Sequence, residues 1–232
     1  MKAAVCLYDG FCNFEFSVLL ESLALADCQI DYIAKTLKPV RAEEGFLALG
    51  EYTWGTICAE DYDVLVLTGI GAKDDSSDWI LADEELLSLI RSFDKAGKLI
   101  AAISCAPMIL VNAGIMKERR YVASVDRECF MAGGACTSVE LSAGQMKGLL
   151  DMKEQKKHPE LHGYVQDGNV ITANGWWFRE WAMAVCKALQ LPFYPKSFGL
   201  ETEEAEEEWE FRMNSFAFSA IIGNRKEDEN TI

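Results

Sequence analysis

The chain has 232 residues, 50% hydrophobic and 25% charged, which suits one globular domain of about 200 residues with elaborations. A net charge of −15 leaves no basic face to neutralise phosphates, so nucleic acid is excluded as a partner. No apolar stretch reaches the roughly 18 residues of a membrane span. The eight cysteines, at 6, 12, 28, 58, 105, 129, 136 and 186, form no CxxC pair and match neither a zinc site nor a disulfide scaffold. They read as reduced thiols of a cytoplasmic protein.

Lys2 to Tyr8 is an apolar run that reads as a first core strand, not a leader peptide. Glu15 to Ala26 follows with a helical pattern in Val18, Leu19, Ser22, Leu23 and Ala26. Gln29 to Ala34 is a second short apolar run. Residues 39–57 are turn-rich and admit a hairpin. Asp63 to Thr68 has the continuous apolarity of a parallel strand buried on both faces, and it ends in Gly69-Ile70-Gly71. Asp83 to Ala96 reads as a helix stopped by Gly97.

Residues 98–120, KLIAAISCAPMILVNAGIMKERR, are the most informative stretch. An apolar run from Leu99 to Ile103 meets Ser104 and Cys105. Ala106, Ile109, Leu110 and Ala113 then recur at helical spacing. Strand, sharp turn and helix make a nucleophile elbow, which lifts one side chain beside the free N–H groups of a helix start.

Residues 121–163 are polar and less regular. Tyr164–Val165 and Val170–Thr172 flank Asp167-Gly168-Asn169, a hairpin signal. Trp176 to Leu189 reads as a helix. Trp176 and Trp177 either wall a pocket or, more simply, pack that helix into the core. Pro192 and Pro195 mark a boundary. Beyond it, Glu201 to about Ala220 predicts a last helix with Ala205, Trp209, Met213 and Phe216 in one stripe. Residues 198–232 hold ten acidic and three basic side chains, most simply a solvated face. The expected organisation is therefore an α/β domain over 1–195 and an acidic helical extension over 196–232, docked on that domain or on a partner subunit. Alternating strands and helices imply a three-layer fold with a mostly parallel sheet. Ligands in such sheets bind at the carboxyl ends of the strands.

Four segments carry a resemblance to the ThiJ/PfpI superfamily, relatives of the class I glutamine amidotransferases. They are Tyr8-Asp9-Gly10-Phe11 through Glu15, Asp61 through Gly69, Ala101-Ala102-Ile103 with Pro107 and Ala113-Gly114, and Asp167-Gly168 with Ile171 through Gly175. Together they cover roughly residues 1–190. The resemblance implies a flavodoxin-like sandwich, here with an extra C-terminal helix, and a homodimer. It also implies a small-molecule substrate or ligand; the residues themselves show no phosphate loop, dinucleotide fingerprint or metal cluster, so no cofactor and no metal are expected. In relatives a protonated glutamate shares a hydrogen with a reactive thiolate, which assigns that role to Glu15. Without gaps, the family's reactive cysteine falls on Ser104 and Cys105 takes the next position. A one-residue slip would put Cys105 at the tip instead. The position of a second histidine falls near Ser124.

The catalytic candidates are thus Glu15, Ser104 and Cys105. Gly69, Ile70 and Ala106 are candidate oxyanion or pocket groups, with Cys12 and Ser124 as further lining. A serine nucleophile needs a base. The only histidines, His158 and His162, lie in one polar segment where Pro159 opposes a metal-binding helix. Three functions follow. One is an intracellular hydrolase, amidase or amidotransferase-like enzyme. The others are a redox-responsive protein with an oxidisable thiol and a ligand-binding module that has lost the chemistry.

Overall fold

The structure is a computed structural model that describes residues 1–71, 78–132, 137–158 and 163–200. Met1–Pro192 forms one compact unit and Phe193–Ile232 a second. In the second, Pro195–Phe198 makes a single 3-10 turn, and the Phe193 and Phe198 rings lie 5.3 Å apart. The helix expected over Glu201–Ala220 lies outside the described residues, as does His162.

The first unit is built on a seven-stranded sheet. Its strands are β1 (Lys2–Leu7), β2 (Gln29–Ala34), β5 (Tyr52–Thr53), β6 (Val64–Leu67), β7 (Leu99–Ile103), β10 (Tyr164–Asp167) and β11 (Val170–Ala173). Their order is β10-β11-β7-β6-β1-β2-β5. All neighbours are parallel except β10 and β11, which form the expected antiparallel hairpin. The central strands read as unbroken apolar runs because both faces are covered. Every residue of Val64–Leu67 is buried, as parallel sheets require.

The helices are α1 (Asn13–Leu25), α2 (Asp78–Leu81), α3 (Glu84–Lys95), α4 (Pro107–Asn112), α5 (Met152–Gln155) and α6 (Phe178–Ala188). The crossover β1–α1–β2 steps towards one edge of the sheet and β6–α3–β7 towards the other. Right-handed crossovers therefore place α1 and α3 on opposite faces. Helix α6 packs on α1, and α4 packs on α2 and α3, which completes the three layers. Asp83 starts α3 by accepting the Leu86 N–H at 3.0 Å, an N-cap worth about 1 kcal/mol.

Local departures from the expected elements have plain causes. Residues 39–57 hold a small hairpin of β3 (Val40–Arg41) and β4 (Leu47–Ala48), and then β5 joins the main sheet edge. Two short strands, β8 (Tyr121–Val122) and β9 (Leu149–Leu150), pair in parallel within the polar segment. Helix α6 begins at Phe178, after a 3-10 turn over Gly175–Trp177. Trp176 is 77% exposed and Trp177 39%, so neither packs into the core as expected; the tighter turn rotates both out of the α6 face. Among the described residues six cysteines are free, at 6, 12, 28, 58, 105 and 186, but Cys129 is disulfide-bonded, against the all-reduced reading. Spacing in sequence does not reveal such a pairing. No helix among the described residues is long and apolar enough to cross a membrane.

Candidate active site

Strand order reverses at β1, which has β2 on one side and β6 on the other. A crevice opens at such a switch point, beyond the carboxyl ends of the strands. The segments leaving β1, β6, β7 and β11 converge there, and they carry Glu15, Gly69, Ser104 and Gly175.

Ser104 occupies the elbow tip. Its φ is +63°, a left-handed conformation that costs a non-glycine residue about 1–2 kcal/mol. Two other non-glycine residues share that conformation, Asp27 and Gln190, but both terminate helices, where a left-handed residue is ordinary. Ser104 instead precedes a helix. Its backbone is pinned on both sides: its N–H donates to the Ala173 carbonyl at 2.8 Å, and its carbonyl accepts from Ser124 N–H at 2.7 Å.

Glu15 lies in the first turn of α1 and is 3% exposed. Its Oε2 accepts the Gly69 N–H at 2.5 Å, and the Ser104 side chain stands beside its carboxyl and favours the ionised form. Burial pushes the carboxyl up to about 7; Gly69 and Ser104 oppose this, and nearby Glu43 and Glu44 reinforce it. A carboxyl raised to about 7 beside a hydroxyl has the value and position that a general acid/base needs.

The close approach of Ser104 and Glu15 depends on two glycines. A Cβ on Gly69 would lie 2.6 Å from Ser104 Oγ and 2.7 Å from Glu15 Oε2. On Gly175 it would lie 2.7 Å from Glu15 Oε1 and 3.2 Å from Ser104 Oγ. Both positions must stay bare. Gly175 is held in turn by Ser124, whose Oγ accepts its N–H at 2.9 Å. Ser124 thus braces both the elbow and the opposite wall.

Cys105 points to one side of the tip and is half-buried. Its Sγ accepts the Ile70 N–H at 3.2 Å. Burial pushes its thiol up to about 11, which outweighs the Ile70 and own-backbone donors, while Glu15 and Glu43 add to the rise. Cys12 is 5% exposed. Its thiol donates to Glu43 Oε2 at 2.9 Å, and burial followed by Glu15 and Glu43 pushes it well above its ordinary value. Neither thiol is poised as a thiolate.

The N–H groups expected as oxyanion donors have these partners. Gly69 N–H is taken by Glu15 and Ala106 N–H by the Ile103 carbonyl at 3.1 Å, and Ala106 is fully buried. Ile70 N–H is held by a thiol sulfur alone, a weak acceptor that an oxyanion would displace. His158 follows α5, where its backbone N–H donates to Gln155 at 3.1 Å.

A scan against family models matches residues 1–188 to the DJ-1/PfpI family. The chain belongs to the DJ-1/PfpI family. An uncharacterised protein of Methanocaldococcus jannaschii is 25% identical over 195 residues, which is 84% of this chain and 75% of that protein. DJ-1 protein homolog E of Arabidopsis thaliana is 27% identical over 121 residues, 52% of this chain and only 24% of that longer protein. Among solved structures, a ThiJ/PfpI family protein of Bacillus anthracis superposes with a TM-score of 0.69 at 20% identity, over 92% of this chain and 96% of that one. At that identity the likeness speaks for the fold.

Sequence reasoning missed Glu43 and Glu44, because their turn between β3 and β4 carries no chemical motif. Gly175 had a signal, as the last glycine of the hairpin motif that identifies the DJ-1/PfpI family.

Proposed function

We propose that this DJ-1/PfpI protein is a small-molecule hydrolase in which Ser104 is the nucleophile and Glu15 the general base. The observation that carries the reading is the Glu15 carboxyl. It is buried, burial pushes it up to about 7, and it lies beside the hydroxyl of a residue on a strained elbow. A serine needs a base, and this is the group in contact with it. In the reaction, Ser104 Oγ attacks the carbonyl carbon of a small ester or amide as its proton passes to Glu15. The carbonyl oxygen gains the negative charge and takes the Ile70 N–H in place of Cys105 Sγ. The bond to the leaving group then breaks as Glu15 returns the proton to that group. Water repeats the sequence on the acyl-serine and releases the acid.

The redox reading loses support because burial holds both site thiols protonated, and the thiolate is the reactive form. The ligand-binding reading keeps one observation in its favour: Gly69 N–H is committed to Glu15, which leaves a single displaceable oxyanion donor. A fluorophosphonate probe separates the two. A competent serine is labelled at Ser104, and labelling rises as pH passes through about 7, because the base must be ionised. Glu15→Gln should slow labelling by about 10²–10⁴-fold, and Ser104→Ala should abolish it. Labelling that persists in Ser104→Ala, or a wild-type protein that takes no label at pH 9, refutes the hydrolase.

A further inference from the structure

Trp176 is the largest apolar surface that the described residues leave in water, and the structure spends contacts to keep it there. Its N–H donates to Asn174 Oδ1 at 3.2 Å, which fixes the turn that carries it. Its indole packs on Phe14, with ring centroids 5.9 Å apart and planes inclined at 32°. Phe14 is braced edge-on by Phe178 at 5.8 Å and 88°. This cluster is continuous in chain with the reacting groups: Phe14 directly precedes Glu15, and Trp176 directly follows Gly175. The exposed aromatic platform is thus built from the chain neighbours of Glu15 and Gly175.

The charge on the rim has one sign on the near side. Glu44 accepts the N–H groups of Asn13 and Phe14, at 3.3 and 3.0 Å. Glu43 accepts from the Cys12 thiol. Both carboxylates are exposed and close enough to act on Glu15. Two cations lie on this side and each already has a partner. Arg41 folds back on the Gly45 carbonyl, and the Arg179 guanidinium is stacked over the Phe178 ring of the same cluster at 4.5 Å. Trp176 is 77% exposed and packs on Phe14, whose own N–H is held by Glu44, on a chain of net charge −15. A cation seated over an indole face beside carboxylates is attracted by both.

We propose that the Phe14–Trp176 platform, with Glu43 and Glu44, is a recognition subsite for a cationic group, so that the substrates are small esters or amides bearing an ammonium. The subsite rests on the hydrolase reading for its reaction, but not for its binding. The test uses full-length Ser104→Ala protein, in which the proposed chemistry is absent. Two isosteric probes, acetylcholine and its uncharged analogue 3,3-dimethylbutyl acetate, are titrated and followed by calorimetry and tryptophan fluorescence. Acetylcholine should bind about tenfold more tightly than the neutral ester, the scale of one cation–π contact with partial desolvation. Adding Trp176→Ala should remove that preference, Trp176→Phe should restore most of it, and Glu43→Gln should weaken its salt dependence. Equal binding of the two probes, no binding of either, or unchanged binding in the Trp176→Ala protein overturns the subsite. If the cation preference is found but wild-type protein hydrolyses neither probe, the subsite stands and the hydrolase falls. If both are hydrolysed with equal KM, the reverse holds.

Discussion

Two carboxylates, Glu15 and Asp31, are buried to the same degree, at 3% and 2% exposure, and are tuned in opposite directions. Asp31 sits in β2, where burial pushes it up, but hydrogen bonds from Lys2, Tyr62 and Gln29 outweigh burial and hold it below the usual carboxylate value. Lys2 Nζ and the Tyr62 hydroxyl each approach it to 2.8 Å. Glu15 has a backbone N–H and a serine hydroxyl for partners and two glutamates nearby, and it rises to about 7. Burial alone does not decide whether a carboxylate is held low or raised towards neutrality. The presence or absence of a compensating cation does, because a desolvated charge without one reverts towards its neutral form.

The largest effect that could break this contrast is on stability. A carboxyl whose folded value is raised stabilises the protein below its unfolded value, near 4.5. That contribution is lost as pH rises through about 7. Chemical denaturation from pH 4.5 to 8 should therefore show wild-type protein losing on the order of 3 kcal/mol relative to Glu15→Gln. Parallel profiles for the two proteins would mean that Glu15 is not held as described. Next comes geometry. Gly175→Ala should slow fluorophosphonate labelling by about 10²-fold, the effect of a misplacement of about 1 Å, and a rate within twofold of wild type would show that the wall has slack. Smallest is the structural carboxylate. Asp31→Ala should cost about 1–3 kcal/mol by leaving a buried hydroxyl and an amine without their acceptor. Labelling of the folded fraction should stay as in wild type, and a slowed rate there would merge the two regions into one network.

Much of the fold was legible because buried parallel strands and amphipathic helices leave strong periodicities. Residues 63–68 and 99–103 could be little else. The elbow was legible as a strand–turn–helix break, and Glu15 as the acidic residue opening α1. The identity of the tip residue was not. Ser104 and Cys105 are both small and nucleophilic, and a one-residue register is settled only by which backbone adopts φ of +63°. The outward turn of Trp176 was also hidden, because the helical pattern over 176–189 cannot distinguish a 3-10 start from an α-helical one.

The sequence by itself determined the layer architecture, the strand ends that carry the candidate site and the family resemblance, since each follows from patterns within a few residues of one another. Only the tertiary structure decided the chemistry. The acidity of Glu15, the protonated state of Cys105 and Cys12, and the placement of Glu43 beside them all depend on groups from separate strand ends meeting out of water. Desolvation and charge proximity are properties of distance in space, which no local pattern records.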